Sequence, residues 1–364
     1  MFLALRDLRR SWRRFLLVGL VIALVAMLST VLVGLTNGLV KDGTSGLRSL
    51  PLTHLAFQPG AESVFSRSTL DRSALESWEK QPGAKASPLG VSFVNAASVG
   101  EGPNVDLALF GVAEDSFLVE RPEGRAALNG RPGLVLADEV REEGVKVGDR
   151  FRFAGSDLAL PVLGFTFAGS YGHVPVGYVS LKEWQKITFG GTGGDRFSAV
   201  ALELPSGADT EAVNQAAGTE LKTKEQAYSG SPGYSAETAT MSLIRFFLLV
   251  ISALIVGAFF TVLIVQRTNQ IGLLRAMGAS GGYIMRDGLG QMTIVQVLST
   301  AVGGVLGIVI ILLLENGPVP ISLSLPGVLA ACAYLVLAGL LGSFVSIRRI
   351  SKVEPSIALS AGQV

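Results

Sequence analysis

Four long apolar stretches constrain this 364-residue chain more than any other feature. They are "FLLVGLVIALVAMLSTVLVGL", "MSLIRFFLLVISALIVGAFFTVLIVQ", a run from Gln291 to Leu314 and a run from Pro326 to Ile347. A helix needs about 20 mostly apolar residues to cross a bilayer. Transmembrane helices are therefore expected over 15–36, 241–266, 291–314 and 326–347. The first run is too long for a signal-peptide core, and no A-x-A-like cleavage site follows it closely, so it reads as a retained helix. Only 16% of residues are charged, against roughly 25% in soluble domains, in keeping with a membrane protein that has a sizeable watery part.

Short basic flanks predict the orientation. Arg6, Arg9, Arg10, Arg13 and Arg14 precede the first span. Arg267, Arg275 and Arg286 lie between the second and third, and Arg348, Arg349 and Lys352 follow the fourth. The 315–325 loop has no Lys or Arg. Both termini, with the 1–14 segment, the 267–290 loop and the 348–364 tail, are thus expected in the cytoplasm, in a multi-pass plasma-membrane protein. Residues 37–240 then lie outside.

That outer segment is long enough to bury its own core. "VDLALFGV" (105–112), "GLVLA" (133–137), "DRFRFAG" (149–155) and "LALPVLGFTFAG" (158–169) read as strands bounded by turn residues. Helices are expected over 68–81, 181–189 and 209–224. The fold class is a membrane protein: four transmembrane α-helices with a mixed α/β extracytoplasmic domain inserted between helices 1 and 2.

No catalytic set is present. The sequence has no G-x-S-x-G, no H-E-x-x-H, and its one cysteine, Cys332, excludes an intrachain disulfide. "GGTGG" (190–194) lacks the lysine and hydroxyl of a phosphate loop and reads as a surface turn. His173, in "SYGHVPVG", reads as a loop histidine. No Walker motif is present, and no basic stripe suggests nucleic acid.

"RTNQIGLLRAMGAS" places Ile271, Leu274 and Arg275 on one helical face, with Gly278 able to stop the helix in a left-handed conformation. Such a short helix either lies among headgroups or presents a face that a soluble partner can grip. Phe2, Leu5, Leu8, Trp12 and Phe15 form an apolar stripe opposite arginines, as in an interfacial helix on membrane lipids. Gly303 and Gly307, and Ala338 and Gly342, make small-x-x-x-small pairs suited either to packing within the chain or to a dimer seam.

The order of one span, a large outer domain and three further spans, with the "RTNQIGLLRAMGAS" segment and the tail residues Pro355, Ala358 and Leu359, resembles the permeases of MacB/FtsX-type ABC transporters. "GLVLADEVREEGVKVGDRFRF" is similar to that family's outer-domain pattern. "ETATMSLIRFFLLVISALIVGAFFTVLIVQRTNQIGLLRAMGAS" and "HLAFQPGAESVFSRSTL" are similar to its DevC/HrtB-like subgroup, which includes haem exporter permeases. The resemblance implies a homodimer of permeases with a dimer seam at spans one and two. It also implies a separate HrtA-like ATPase that uses ATP and Mg and docks on Ile271, Leu274, Arg275 and Gly278. No cofactor is expected to stay bound to the chain itself.

Within that frame, haem is the leading cargo, and the candidate cargo residues are Met241, Arg245, His54, Arg48, Met27, Phe246 and Phe247. Met241 and Arg245 fall one turn apart on a helix face. A thioether can ligate haem iron axially and a guanidinium can hold a propionate. Phe246 and Phe247 would wall the site, His54 is a possible second iron ligand, and Arg48 a second propionate partner. Four of them also have a plainer reading: snorkelling for Arg245, an interfacial methionine for Met241, a core methionine for Met27 and a surface histidine for His54. Two other functions stay open: an FtsX-like signal transmitter controlling an outer cell-wall hydrolase, and an exporter of antibiotic peptides or lipids.

Overall fold

A computed structural model describes residues 12–100, 102–118, 131–166, 169–192, 194–266, 277–278, 280–315, 317 and 319–350. In chain order the elements begin with α1 (Trp12–Ser49), β1 (His54–Phe57), α2 (Arg72–Glu79), β2 (Lys85–Ser98), β3 (Val105–Val112) and β4 (Leu134–Ala137). They continue with α3 (Asp138–Glu142), β5 (Arg150–Phe153), β6 (Ala159–Thr166), β7 (Ser170–Tyr171), β8 (Val174–Ser180), α4 (Leu181–Phe189) and β9 (Ala199–Glu203). Last come α5 (Glu211–Ala216), β10 (Glu220–Thr223), α6 (Lys224–Ala227), α7 (Tyr234–Gln266), α8 (Gly281–Leu314) and α9 (Leu325–Ile350). The chain divides into two compact units, Val40–Glu237 and the remainder.

Among the described residues, four helices are long and apolar enough to cross a membrane: α1, α7, α8 and α9. Helix α1 does not stop near residue 36 but runs on to Ser49. Its packing on α8 is backbone to backbone. A Cβ at Gly303 would strike the Ala23 carbonyl and lie 2.7 Å from Ala26 Cβ, and one at Gly307 would lie 2.6 Å from Thr30 Cβ. The G-x-x-x-G of span three thus serves packing within the chain, which small residues permit by letting helices approach closely. Gly342 of α9 meets the Ala253 backbone of α7 in the same way.

In the Val40–Glu237 unit the strands form one sheet in the order β10-β1-β9-β2-β3-β8-β4-β6-β5, with β7 beside β8. Strand β2 pairs with β9 through Lys85–Leu89, with β3 through Leu89–Ala96, and with β5 through Ala96–Ser98. The ring β2-β3-β8-β4-β6-β5 therefore closes on itself, while β9, β1 and β10 extend from β2 as an open wing. Alternate side chains point to opposite faces. Leu55, Phe57, Phe110, Ala199 and Ala201 join one core with Leu47, Leu50 and Tyr171. Ala56, Leu109, Val200 and Leu202 join a second with Trp78, Trp184 and Phe153. Trp184 of α4 lies over Gly90 and Gly111, where any Cβ would collide with its ring, and its indole N–H donates to Ser92 Oγ at 3.0 Å.

Local chemistry explains most boundaries. Asp71 caps α2 by accepting from the Ser73 and Ala74 amides, and Ser180 caps α4 by accepting from Glu183 N–H. Gly190, at φ 62°, ends α4 in the left-handed conformation and opens the glycine-rich turn expected there. A second expectation, besides the end of α1, fails. Residues 209–224 do not form a single helix: α5 ends at Ala216, Gly218 turns at φ 61°, and Glu220–Thr223 become β10 against β1. Helix-forming composition is overridden there by a sheet edge that needs a partner strand.

Candidate functional site

The candidate cargo residues divide between the two units. Met241, Arg245, Phe246 and Phe247 lie on α7 and Met27 on α1, all in the apolar-helix unit, whereas Arg48 and His54 belong to the Val40–Glu237 unit. One helical turn separates Met241 from Arg245, so they share a face of α7. Both are half-buried. The Phe246 and Phe247 rings, each more than half exposed, meet edge to face at 5.7 Å. Arg245 Nε is buried and has no hydrogen-bond partner among the described residues. An unpaired guanidinium nitrogen at that depth is costly.

Met27 is half-buried on α1, and its carbonyl faces Gly307 of α8. His54 opens β1 between Thr223 of β10 and Leu202 of β9, with Nδ1 3.0 Å from Thr53 Oγ1. Arg48 sits near the end of α1 with its guanidinium 5.0 Å from the centre of the Tyr228 ring. Burial pushes the Tyr228 phenol up, and the Arg48 charge pulls it part of the way back. Arg48 therefore already has an aromatic partner.

Of the segment expected to meet an ATPase, Ile271, Leu274 and Arg275 lie outside the described residues. Gly278 is described and takes φ 92°, a conformation that favours glycine. Ser280 then caps α8 by accepting from Tyr283 N–H at 3.2 Å. Phe2, Leu5 and Leu8, together with the tail residues Pro355, Ala358 and Leu359, also lie outside the described residues.

The structure adds a set of residues that the apolar reading passed over. Thr30 on α1, Ser252 on α7, and Gln296 and Thr300 on α8 are buried. Thr30 Oγ1, Ser252 Oγ, Thr300 Oγ1 and Gln296 Oε1 have no hydrogen-bond partner among the described residues. Gln296 Nε2 donates to the Leu335 carbonyl of α9 at 3.0 Å, over Gly339. Polar letters inside otherwise apolar runs were the available signal, since such groups in spanning helices face protein rather than lipid.

Two family models fit this architecture. Residues 15–220 match the family model described as MacB-like periplasmic core domain, and residues 242–355 match FtsX-like permease C-terminal. Among curated proteins, the chain is 23% identical to "Putative hemin transport system permease protein HrtB" of Staphylococcus epidermidis, across 100% of both chains. It is also 23% identical to an uncharacterized ABC transporter permease of Mycobacterium tuberculosis, across 98% of this chain and 99% of that one. Among solved structures, the extracellular domain of the noncanonic ABC-type transporter YknZ from Gram-positive bacteria aligns with 47% of this chain and 98% of its own, at 15% identity and a TM-score of 0.33. With one family model covering the first span and outer domain and the other the last three spans, this chain belongs to the MacB/FtsX-type permeases and is the permease of an ABC transporter.

Proposed function

We propose that the chain is the permease of an exporter that removes a flat, apolar, anionic molecule from the membrane, with haem as the substrate. The observation that carries this reading is the pairing of Met241 and Arg245 on one face of α7 beside Phe246 and Phe247, with Arg245 Nε buried and without a hydrogen-bond partner among the described residues. A soft sulfur, a guanidinium and aromatic edges match, in turn, an iron, a propionate and a porphyrin plane. The full-length similarity to a protein named for hemin transport supports the same substrate.

Work enters from the cytoplasm. Both termini and the 267–278 segment face inward, as the arginine distribution predicts. A separate HrtA-like ATPase binds ATP and Mg, grips Ile271, Leu274 and Arg275, and hydrolyses the nucleotide, while the permease itself performs no chemistry. The gripped segment joins α7 to α8, so displacing it moves both helices. Because Gly303 and Gly307 seat α8 directly on the α1 backbone, α1 travels with α8 as one block. Two permeases pair in the working complex.

Titration of the purified chain with haemin tests the substrate. A shifted Soret band should appear and weaken about tenfold in apparent affinity in Met241→Ala, the loss expected when about 1.4 kcal/mol of binding is removed. No band shift in the unaltered chain excludes haem. Capture of a cell-wall hydrolase by the outer domain, together with an ATPase activity indifferent to haemin, would instead establish the signalling reading.

A further inference from the structure

Three distant segments converge on the imidazole of His173. Its Nδ1 lies 2.8 Å from Asp42 Oδ2, on the last part of α1, and its Nε2 lies 3.0 Å from Glu237 Oε1, in the first turn of α7. His173 itself occupies the turn between β7 and β8 at φ 64°, a left-handed conformation uncommon outside glycine. The same turn is fastened to α1 by backbone as well. The Ser170 amide donates to Ser45 Oγ at 2.9 Å, Ser170 Oγ to Asp42 Oδ1 at 3.0 Å, and the Gly172 amide to the Gly43 carbonyl at 3.0 Å. Ser231 Oγ, just ahead of α7, donates to that Gly43 carbonyl at 2.7 Å.

A neutral imidazole carries one N–H donor and one lone-pair acceptor. Two ionised carboxylates at hydrogen-bond distance, one on each nitrogen, require two donors, and only the imidazolium has them. We propose that His173 is a proton-set clamp: charged, it holds Asp42 of α1 and Glu237 of α7 to the β7–β8 turn, and on losing its proton it releases one of the two.

The surrounding charges favour the closed form. Asp42 faces the ring from α1 and Glu237 from α7, while Glu139 of α3 adds further negative charge beside Asp42. Burial opposes the charge on His173, but the Asp42 hydrogen bond and the nearby charges of Glu237 and Asp42 outweigh it and raise its pKa above the ordinary histidine value. The sign follows from proton linkage. A raised native pKa gives a stabilisation that is fully present below about 6.5 and is lost as pH rises through the native value. The clamp is thus firm in acid and loosens toward alkaline pH. It does not depend on which molecule is transported.

Nitrogen NMR on the full-length chain in lipid nanodiscs, with ¹⁵N-histidine, tests this directly. His173→Gln identifies the signals by their loss. Both His173 ring nitrogens should read as protonated at pH 6.5, with a midpoint above the ordinary histidine value, and Asp42→Asn/Glu237→Gln should return that midpoint to it. Amide exchange of residues 41–46 and 231–237, corrected for the intrinsic effect of pH, should rise several-fold through the midpoint in the unaltered chain and show no such step in His173→Gln. A single neutral tautomer at pH 6.5 in the unaltered chain overturns the clamp, whether or not the double variant folds. An unchanged midpoint in a folded double variant overturns it as well.

Discussion

Seating α8 on α1 through Gly303 and Gly307 makes a graded prediction. A Cβ at Gly303 meets the Ala23 carbonyl and Ala26 Cβ, and one at Gly307 lies 3.0 Å from the Met27 carbonyl and 2.7 Å from Thr30 Cγ2. Backbone cannot swing aside, so the helices must part, at an overpacking cost of about 1–3 kcal/mol. Alanine recovers about 0.5–1 kcal/mol through its better helix propensity. Gly303→Ala should therefore lose about 0–2.5 kcal/mol net. Gly290→Ala, on the same helix but with no described atom within 4 Å of the new Cβ, should gain about 0.5–1 kcal/mol. Gly304→Ala falls between them, because it meets only the Cys332 sulfur at 3.2 Å. Melting curves of the purified full-length variants in one detergent should order as Gly290→Ala, Gly304→Ala, Gly303→Ala from most to least stable, with the extremes about 2–12 °C apart, the overpacking cost of about 1–3 kcal/mol at about 2–4 °C per kcal/mol. Equal or greater stability of Gly303→Ala relative to Gly290→Ala would refute the backbone contact and, with it, the idea that α1 and α8 move as one block.

Other consequences are simpler to state. Trp184→Ala empties the space over Gly90 and Gly111 and leaves Ser92 without its indole donor, so it should destabilise the outer unit by about 3–5 kcal/mol, measurable by denaturant unfolding. Arg48→Ala removes a cation–π contact with Tyr228 worth about 0.5–1 kcal/mol, a small change in melting.

How far the sequence exposes this fold depends on how local each signal is. The four apolar runs declare themselves because bilayer thickness sets a length threshold that no soluble helix needs to meet. Helix α4 is legible at both ends, since Ser180 caps its start and Gly190 takes the left-handed turn at its finish. Strand β2 is hard to read because Pro88 and Gly90 interrupt its pattern. The sheet tolerates Pro88, which pairs with Val200 of β9, because β3 joins only from Leu89 onward. Residues 220–223 become a strand for a reason outside their own composition, namely pairing with β1. His173 reads as a loop histidine because its partners stand 131 and 64 residues away. Likewise, Thr30 and Gln296 acquire meaning only when α1, α8 and α9 are packed together. Met241 and Arg245, one turn apart on a single helix, are the kind of pair that spacing does reveal.

Orientation decides whether an ATPase can grip the 267–278 segment, since it can do so only from the cytoplasm. Ser280, exposed at the cap of α8, is replaced by cysteine in a Cys332→Ala background, and intact cells are treated with a membrane-impermeant maleimide. An outer-unit control, Ser206→Cys, is treated in parallel. Ser280→Cys should stay unlabelled until the membrane is opened, while Ser206→Cys reacts at once. Labelling of Ser280→Cys in sealed cells at the rate of the control would place the α7–α8 connection outside and contradict the cytoplasmic orientation.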